Sequence, residues 1–356
     1  QRDGNAVSTR DNVAVQVGSG TEVSFASAAT ASAQTLEGVQ VVASALPAID
    51  ISATDSRTVL TADQLQKIPV ARDVTATSLL APGTVAGDSR YGNVVSFGGS
   101  AASENAYYIN GFPVTNPLTS IGLTQLPFDA IDQEQVLTGG YGAEFGRSTG
   151  GVINIITKRG GNTWKAGVAA YWTPKALMAS PRNITVPNNG TELDGTLNTY
   201  RNENTYWETS YGAYISGPLI KDRLFLYASG EFIKREGVNV QPVGASNSSD
   251  GYRMQEFRTP RWLAKLDWNI TDNHILELTA FSDKTTADIG GYSFDYDTLE
   301  HGGVENNHTT IKNNPAIAGV GNNGADTWIT KYTGYLTDNL TITALYGKQD
   351  SDHTNI

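Results

Sequence analysis

The sequence contains no cysteine, and charged residues make up only 17% of its 356 residues. Without cysteine the chain cannot form disulfide bridges or thiolate metal sites, which excludes a disulfide-stabilised scaffold and a cysteine zinc site. Acidic residues outnumber basic ones among the charged residues, with 36 Asp and Glu against 25 Lys and Arg. A formal net charge of -11 would repel the phosphates of DNA or RNA, so we expect no nucleic-acid partner.

Long apolar runs are also missing. A membrane-spanning helix needs about 20 consecutive apolar residues, and no stretch of the sequence approaches that length. Gln1 opens neither a basic segment nor an apolar one, so we expect any signal peptide to have been removed or to lie before the sequence given. By contrast, Gly (37), Tyr (16) and Trp (6) are plentiful. This leaves a β-rich soluble protein or a transmembrane barrel, whose strands place apolar residues at every second position.

Residues 1–48 contain little that can form a core. Two short alternating runs, 13–17 and 22–25, are joined by a glycine-rich turn and predict the last hairpin of a small domain over residues 1–25. Residues 26–35 are Ala, Ser, Thr and Gln only, which predicts a flexible tether. A β-prone run at residues 36–43 follows within this linker, which extends to residue 48.

Residues 49–160 have a compact α+β pattern that begins with two short helices. Thr61 with Gln64 predicts a capping box for a helix that must stop before Pro69. Asp73 is placed to cap a second helix, which Pro82 would end.

Strands complete this segment. They are predicted at residues 94–97 and 106–109, with the turn signal Asn110-Gly111 directly after the second. A glycine-rich stretch at 139–146 and a strand at 151–157 follow.

From residue 164 the pattern changes to segments of about ten residues that alternate between apolar and polar side chains. In residues 262–268, for example, the Trp, Ala and Leu side chains share one face, while Lys265 and Asp267 fall on the other. Similar runs predict about seven strands in all. They occur at residues 207–216, 224–232, 275–281, 328–335 and 341–347.

The connections between these strands alternate in length. Tight turns are predicted at 221–222, 271–273 and 337–339, and long polar connections at 173–204, 234–258 and 284–325. Such alternation puts every tight turn at one end of the sheet and every long connection at the other, as in outer-membrane barrels. Connections longer than about 15 residues are uncommon in compact soluble domains, which argues against a soluble β-sandwich.

Residues 36–162 resemble the plug of TonB-dependent outer-membrane receptors. The stretch Ala-Tyr-Tyr-Ile-Asn-Gly-Phe-Pro-Val-Thr-Asn at 106–116 is similar to a strand and turn of the plug. Residues 139–158 are similar to its closing glycine-rich helix and final strand. The resemblance is specific over about a third of the chain; beyond it, residues 216–225 offer the best single match to a barrel strand.

Two positions depart from the common pattern of that family. Asn110-Gly111 stands where many receptors have Asp-Gly, and Phe97-Gly98-Gly99 stands where many have an Arg-Gly pair. The hairpin at residues 1–25 is similar to the end of a carboxypeptidase-regulatory-like domain. Together these features resemble the Oar-like branch of the family, in which a siderophore should not be assumed as cargo.

The resemblance implies a fold and a function. The fold is an α+β plug domain at 49–160 followed by an antiparallel transmembrane β-barrel, of which residues 161–356 are the N-terminal, incomplete part. The function is energised uptake of an unidentified solute, coupled to periplasmic TonB, which the inner-membrane ExbB-ExbD complex energises. The location is the bacterial outer membrane, in contact with lipid, with plug and N-terminus towards the periplasm and long loops outside. The alternative is a surface adhesin or structural barrel without active transport.

The resemblance also implies two sets of site residues. We predict that residues 36–43, stranded between tether and plug, are the TonB box, which adds as a strand to a sheet edge of TonB. Its members are Leu36, Glu37, Gly38, Val39, Gln40, Val41, Val42 and Ala43. Predicted ligand-binding residues at the outward apices of the plug are Arg90, Tyr91, Ser103 and Asn116.

Other chemistries are weaker interpretations. The glycines at 140–146 lack the parallel βαβ context of a dinucleotide loop and favour close packing instead. The four histidines have no zinc-ligand spacing, and Asp295, Asp297 and Glu300 lack the pattern of a calcium loop, although a calcium site there stays open. No Gly-x-Ser-x-Gly element is predicted to place a nucleophile in a strand-to-helix turn with a histidine and acid beside it. We therefore predict no enzyme, no cofactor and no metal.

Glu144 and Arg147 lie three residues apart in the glycine-rich stretch. They would either pair locally on a helical turn or join plug to barrel wall. An exposed local pair would contribute little to stability.

Overall fold

A computed structural model describes residues 55–88, 94–117, 119–246, 251–313, 324–337, 339–351 and 354–355. The predicted hairpin at 1–25, the linker with residues 36–43, and Arg90 and Tyr91 lie outside the described residues. The described chain comprises a mixed α/β region up to residue 160, here called the mixed region, and a long antiparallel sheet, here called the wall sheet.

In the part of the chain that the structure describes, no helix has both the length and the apolar character needed to cross a membrane.

The mixed region contains a five-stranded sheet and two short α-helices. The helices are α1 (Ala62–Lys67) and α2 (Val74–Ser78), with 3-10 turns at Ala102–Glu104 and Phe128–Ala130. The strands are β1 (Ser56–Thr61), β2 (Thr84–Ala86), β3 (Val95–Phe97), β4 (Ala106–Ile109), β5 (Phe112–Pro113), β6 (Ile131–Gly139) and β7 (Val152–Thr157). The sheet order is β1-β6-β7-β4-β5, with β4 parallel to β7, while β2 and β3 pair separately.

Local sequence signals explain these elements. The Thr61 amide donates to Gln64 Oε1 at 2.9 Å, which confirms the predicted capping box at the start of α1. Asp73 caps α2, because its Oδ1 accepts the Ala76 amide at 2.8 Å. Asn110 and Gly111 adopt φ of 52° and 84° between β4 and β5, the left-handed pair that a tight hairpin turn requires.

The helix predicted in the glycine-rich stretch at 139–146 is wrong. Gly139 ends β6, and residues 140–151 form turns. Glycine makes a helix costly in backbone entropy, whereas a turning chain lets Phe145 pack edge-on against Tyr108 with ring centroids 5.2 Å apart. Within the described residues no ion pair joins Glu144 to Arg147, because Arg147 adopts a left-handed φ of 63° rather than a helical one.

The wall sheet follows. Its strands are β8 (Lys165–Thr173), β11 (Thr205–Ile220), β12 (Leu224–Val240), β13 (Tyr252–Thr271), β14 (His274–Ser282), β15 (Thr286–Asp295), β16 (Glu300–Lys312), β17 (Ala325–Thr337), β18 (Leu340–Ser351) and β19 (Thr354–Asn355). A separate hairpin, β9 (Ile184–Thr185) with β10 (Leu197–Thr199), and the short helix α3 (Val243–Ser246) lie in the connections.

The main path of the wall sheet runs β18-β17-β14-β13-β12-β11-β8, with β15, β16 and β19 attached beside β13. The seven strands of the main path correspond to the alternating runs, whereas β15 and β16 lie in a stretch predicted to be a connection. Among the described residues the sheet does not close into a barrel, and β8 and β18 are its edges.

Two of the predicted long connections are shorter than expected. Residues 234–258 are mostly strand, since β12 continues to Val240 and pairs in register with β13 from Tyr252. Residues 284–325 contain the β15–β16 hairpin. Only two apolar residues alternate at each end of the β12–β13 pair, Val238 with Val240 and Tyr252 with Met254, which is too short a run to predict a strand. The tight turn at 221–222 is confirmed, with Asp222 at a φ of 63°.

The two faces of the wall sheet differ in their surroundings. The inner face packs on the mixed region, where Tyr227, Leu263, Phe281 and Ile329 join one buried cluster with the apolar residues of that region. The opposite, outer face exposes large apolar side chains. They include Tyr211, Ile215, Phe232, Trp262, Trp268, Leu278, Trp328, Ile342 and Tyr346.

Lys265 and Asp267 are buried on the inner face, while Trp262 and Trp268 are exposed on the outer one. This confirms the face assignment made from residues 262–268.

Candidate functional site

Hydrogen bonds attach the mixed region to the inner face of the wall sheet. Asp283, which is fully buried, accepts the Gln125 amide at 2.7 Å through Oδ2 and the Ala325 amide at 2.9 Å through Oδ1. Nearby, Gln349 Nε2 donates to Thr124 Oγ1 at 3.2 Å. The segment around residue 125 is therefore fixed both to the residue that directly follows β14 and to β18.

A second attachment is made by Arg72, just before α2. Its guanidinium pairs with Asp129 at 2.8 Å and lies between two rings, 4.7 Å from the Phe128 centroid and 3.9 Å from that of Tyr171 in β8. The attraction between a cation and an aromatic face is stronger when the cation is partly desolvated. The Arg72 side chain is only 22% exposed. Tyr227 of the wall also donates to the Asp129 carbonyl at 3.2 Å.

The mixed region contains one fully buried carboxyl, Glu134 in β6. It accepts hydrogen bonds from Thr77 Oγ1 at 2.5 Å and Ser78 Oγ at 2.6 Å, both in α2. Burial raises the pKa of Glu134 to about 7, and the nearby Asp73 adds to the rise, while the two hydroxyls oppose it. The carboxyl thus ties α2 to the central strand and is able to change charge near neutral pH.

A cleft of about 730 Å³ lies beyond the mixed region, between residues 175–181 and 201–206 and the inner side of β12 and β13. Its lining combines cations, aromatic rings and amides. The lining includes Lys175, Arg201, Arg235, Tyr206, Tyr252, Phe257, Asn202, Asn204 and Gln255.

Within the described ranges, ion pairs neutralise only part of the charge in this cleft, and none is found at Lys175 or Arg201. Arg235 is paired with Glu208 at 2.6 Å, whereas Glu203 is the acid among the lining residues. Cations beside aromatic faces and amides suit an anionic or hydroxylated solute with a planar part. The sequence pattern had not singled out these residues, because Arg235 and Phe257 fell in a stretch predicted to be a connection.

Of the predicted apex residues, the structure describes Ser103 and Asn116, and neither lines this cleft. Ser103 is exposed in the 3-10 turn Ala102–Glu104. Asn116 is buried, and its Oδ1 accepts the Thr119 amide at 3.1 Å, so it shapes its own loop. No contact joins Ser103 to Asn116 among the described interactions.

Among the residues that the structure describes, no group of three or more His, Asp or Glu is arranged to hold a metal ion. Asp295 instead caps the β15–β16 turn by accepting the Asp297 amide at 2.8 Å. Ser148 Oγ donates to the carbonyls of Gly151 and Glu104, at 2.9 and 3.1 Å.

The sequence is similar to a known protein family and to individual proteins. Residues 50–152 match the TonB-dependent Receptor Plug Domain. The chain is 32% identical over 191 residues to the TonB-dependent transporter Oar of Myxococcus xanthus, covering 51% of this chain and 17% of Oar. It is 30% identical over 131 residues to the Ferrienterobactin receptor of Escherichia coli (strain K12), covering 32% of this chain and 18% of that protein. The chain thus spans under a fifth of each of these relatives.

The fold is shared with solved structures. The outer membrane transporter YddB of Escherichia coli superposes with a TM-score of 0.60 at 16% identity, over 82% of this chain and 38% of YddB. Residues 50–152 are therefore a TonB-dependent receptor plug domain, and the long antiparallel sheet that follows has the fold of part of the barrel of such transporters. Oar is named as a TonB-dependent transporter and YddB as an outer membrane transporter.

Proposed function

We propose that the chain is the plug and first barrel strands of a receptor that takes up a solute across the outer membrane with energy supplied through TonB. The observation that carries this proposal is a plug domain held by Asp283, Arg72 and Tyr227 against one face of a sheet whose other face is apolar. A surface adhesin would not require a plug that is coupled to an energy source. Measuring whether solute uptake depends on TonB distinguishes a transporter from an adhesin.

We propose residues 1–25 as the end of a carboxypeptidase-regulatory-like domain, 26–48 as a linker, 49–160 as the plug, and 161–356 as barrel strands. Residues 36–43 are the TonB box, and the periplasmic TonB protein, energised by ExbB-ExbD, takes hold of this run by adding it to a sheet edge. The plug and N-terminus face the periplasm and the long connections face outward.

The TonB box is tested by two proline substitutions. Because recognition depends on main-chain hydrogen bonds, Val39→Pro or Val41→Pro should abolish uptake by removing an amide donor, whereas Val41→Ala, the matched control, should be mild. Uptake is measured in whole cells with receptor levels in the outer membrane checked by immunoblot. Normal uptake by both proline variants would show that these residues are not the TonB box.

We propose that cargo binds in the cleft beside Lys175 and Arg201, reached over the plug apices at Arg90, Tyr91, Ser103 and Asn116. Lys175 and Arg201, which have no ion-pair partner among the described residues, favour an anionic cargo with hydroxyl groups or a planar part. One relative is named for ferrienterobactin, but its 30% identity covers a third of this chain, and the cargo here is not taken from that name.

The proposed cargo site is tested by removing the positive charges of two lining residues. Lys175→Gln with Arg201→Gln should weaken uptake roughly tenfold or more, since charge-assisted hydrogen bonds are lost. Lys165→Gln with Lys221→Gln, both exposed and outside the lining of the cleft, is the matched control and should change uptake little. Equal uptake by both variants would remove the cleft as the cargo site.

A further inference from the structure

A second cavity lies between the plug and the inner face of the wall sheet. It has a volume of about 420 Å³, which is within the range of small-molecule sites, about 300–1,000 Å³. Gln66, Pro127 and Lys158 line it from the plug, and residues of β8, β11 and β12 line it from the wall. This space, here called the plug cavity, therefore separates the plug from three neighbouring strands.

The same two strands of the wall line both the cleft and the plug cavity. On β12 the cleft is lined by Arg235 and the plug cavity by Ser229, and on β11 the cleft is lined by Tyr206 and the plug cavity by Gly212. At about 3.3 Å per residue, the strand between the members of each pair spans about 20 Å. The plug cavity thus lies about 20 Å from the cleft along these strands, towards the tight turn at 221–222. In the proposed orientation this is the direction of the periplasm.

Gly212 leaves space in the plug cavity. A Cβ atom at this position would have Asp129 Oδ2 as its nearest neighbour, at 3.7 Å, which is an ordinary van der Waals distance. Close packing therefore does not require glycine here. A larger side chain at this position would instead project towards the plug and fill part of the cavity.

Lys158 supplies positive charge to the plug cavity. Its amide, directly after β7, donates to the Ala130 carbonyl at 2.8 Å and fixes the backbone of this residue. Burial lowers the pKa of the Lys158 ammonium, whereas the charges of Asp129 and Asp132 raise it. In the described part of the chain, neither carboxyl forms an ion pair with this ammonium.

The two acids among the lining residues are occupied by arginines. Asp129 pairs with Arg72 at 2.8 Å, and Glu231 lies 3.5 Å from Arg261 Nη1. A carboxylate whose charge is compensated by a neighbouring arginine repels an anion less than a free one does. The Lys158 ammonium is therefore the charge in the lining that a negatively charged group would meet without displacing an ion pair of the described residues.

We propose that the plug cavity is a second binding site for the transported solute, in which Lys158 binds its anionic group, a carboxylate or a phosphate. An ammonium forms strong charge-assisted hydrogen bonds with such a group, and the amide of Gln66 adds a neutral donor to the same lining. The inference rests on the proposed function, because it assigns the cavity to the anionic solute that the cleft binds first.

The experiment measures how fast two thiol reagents of opposite charge reach the plug cavity. A Ser229→Cys variant of the full-length receptor, otherwise free of cysteine, is purified and modified with an anionic reagent, 2-sulfonatoethyl methanethiosulfonate, or a cationic one, 2-(trimethylammonium)ethyl methanethiosulfonate. Each rate is divided by the rate of that reagent with a free thiol in solution. Lys158→Gln in this background should lower the ratio of the anionic to the cationic rate roughly tenfold, whereas Lys158→Arg should keep the ratio.

Two further variants separate charge from access. Lys221→Gln removes an exposed lysine outside the lining and should keep the ratio, and Gly212→Leu should slow both reagents roughly tenfold by filling the cavity. An unchanged ratio in Lys158→Gln, an equal fall in Lys221→Gln, or unchanged rates in Gly212→Leu would overturn the proposal. These rates are read without TonB and without cargo. Uptake that proves independent of TonB would therefore reject the proposed function and leave this test of the cavity decisive.

Discussion

The stability of the folded plug should depend on the protonation of Glu134. Replacing it with Gln keeps the size and removes the charge, and the hydroxyls of Thr77 and Ser78 are able to turn towards Val74 O and accept from the amide. A carboxyl whose pKa rises from 4.5 to about 7 on folding disfavours the folded plug once it ionises. The shift corresponds to about 3 kcal/mol.

The sign follows from proton binding. Between pH 4.5 and about 7 the folded state binds more protons than the unfolded state, so stability is highest below that window and falls as the pH rises through it. From about pH 5 to about pH 8 the loss should be roughly 2 to 3 kcal/mol for wild type. For Glu134→Gln that part of the loss should vanish.

Hydrogen exchange of the full-length receptor measures this locally. Peptides that cover residues 74–81 and 131–139 are followed over the same pH range, with intrinsic exchange rates corrected. Burial also raises the pKa of Asp73, the N-cap of α2, so the quantity compared is the difference between wild type and Glu134→Gln. Asp132→Asn, a half-buried carboxyl on the same strand, is the control and should keep the wild-type profile. Identical profiles for wild type and Glu134→Gln would refute the argument.

Two further predictions concern the inner face of the wall. Asp283→Ala leaves the buried amides of Gln125 and Ala325 without this acceptor, and should cost about 1–3 kcal/mol for each donor, seen as faster exchange at residues 124–126. Unchanged exchange there would show that the plug is held by other contacts. Lys265→Met removes the cation 3.1 Å from Glu277 and 3.6 Å from Asp267 and should destabilise the sheet by about 3–5 kcal/mol in denaturant unfolding. Lys67→Met, in a pair with Asp63 that is 73% exposed on both sides, should change stability by less than about 1 kcal/mol, and a similar loss in both variants would contradict a role for burial.

The sequence by itself determined the local elements and the family. Gln64 and Asp73 accept hydrogen bonds from amides three residues away, those of Thr61 and Ala76. The turn at Asn110-Gly111 depends only on the backbone angles of these two residues. These local structures therefore follow from residues that are close in sequence. The alternation in residues 262–268 depends on a pleat with period two, which is why the assignment of Trp262 and Lys265 to opposite faces is confirmed.

Only the tertiary structure decided the features that depend on partners distant in sequence. Residues 234–240 and 252–258 are strand because each pairs with the other, although each has only two alternating apolar residues. The glycine-rich stretch at 139–146 turns instead of forming a helix because Phe145 gains a partner in Tyr108. Asp283 meets Gln125 across 158 residues, and the cleft joins connections with strands far apart in the chain, so no local spacing shows either. Such contacts form only when long loops close, and the packing of the whole chain offsets the entropy cost of that closure. A pattern of neighbouring residues therefore does not predict them.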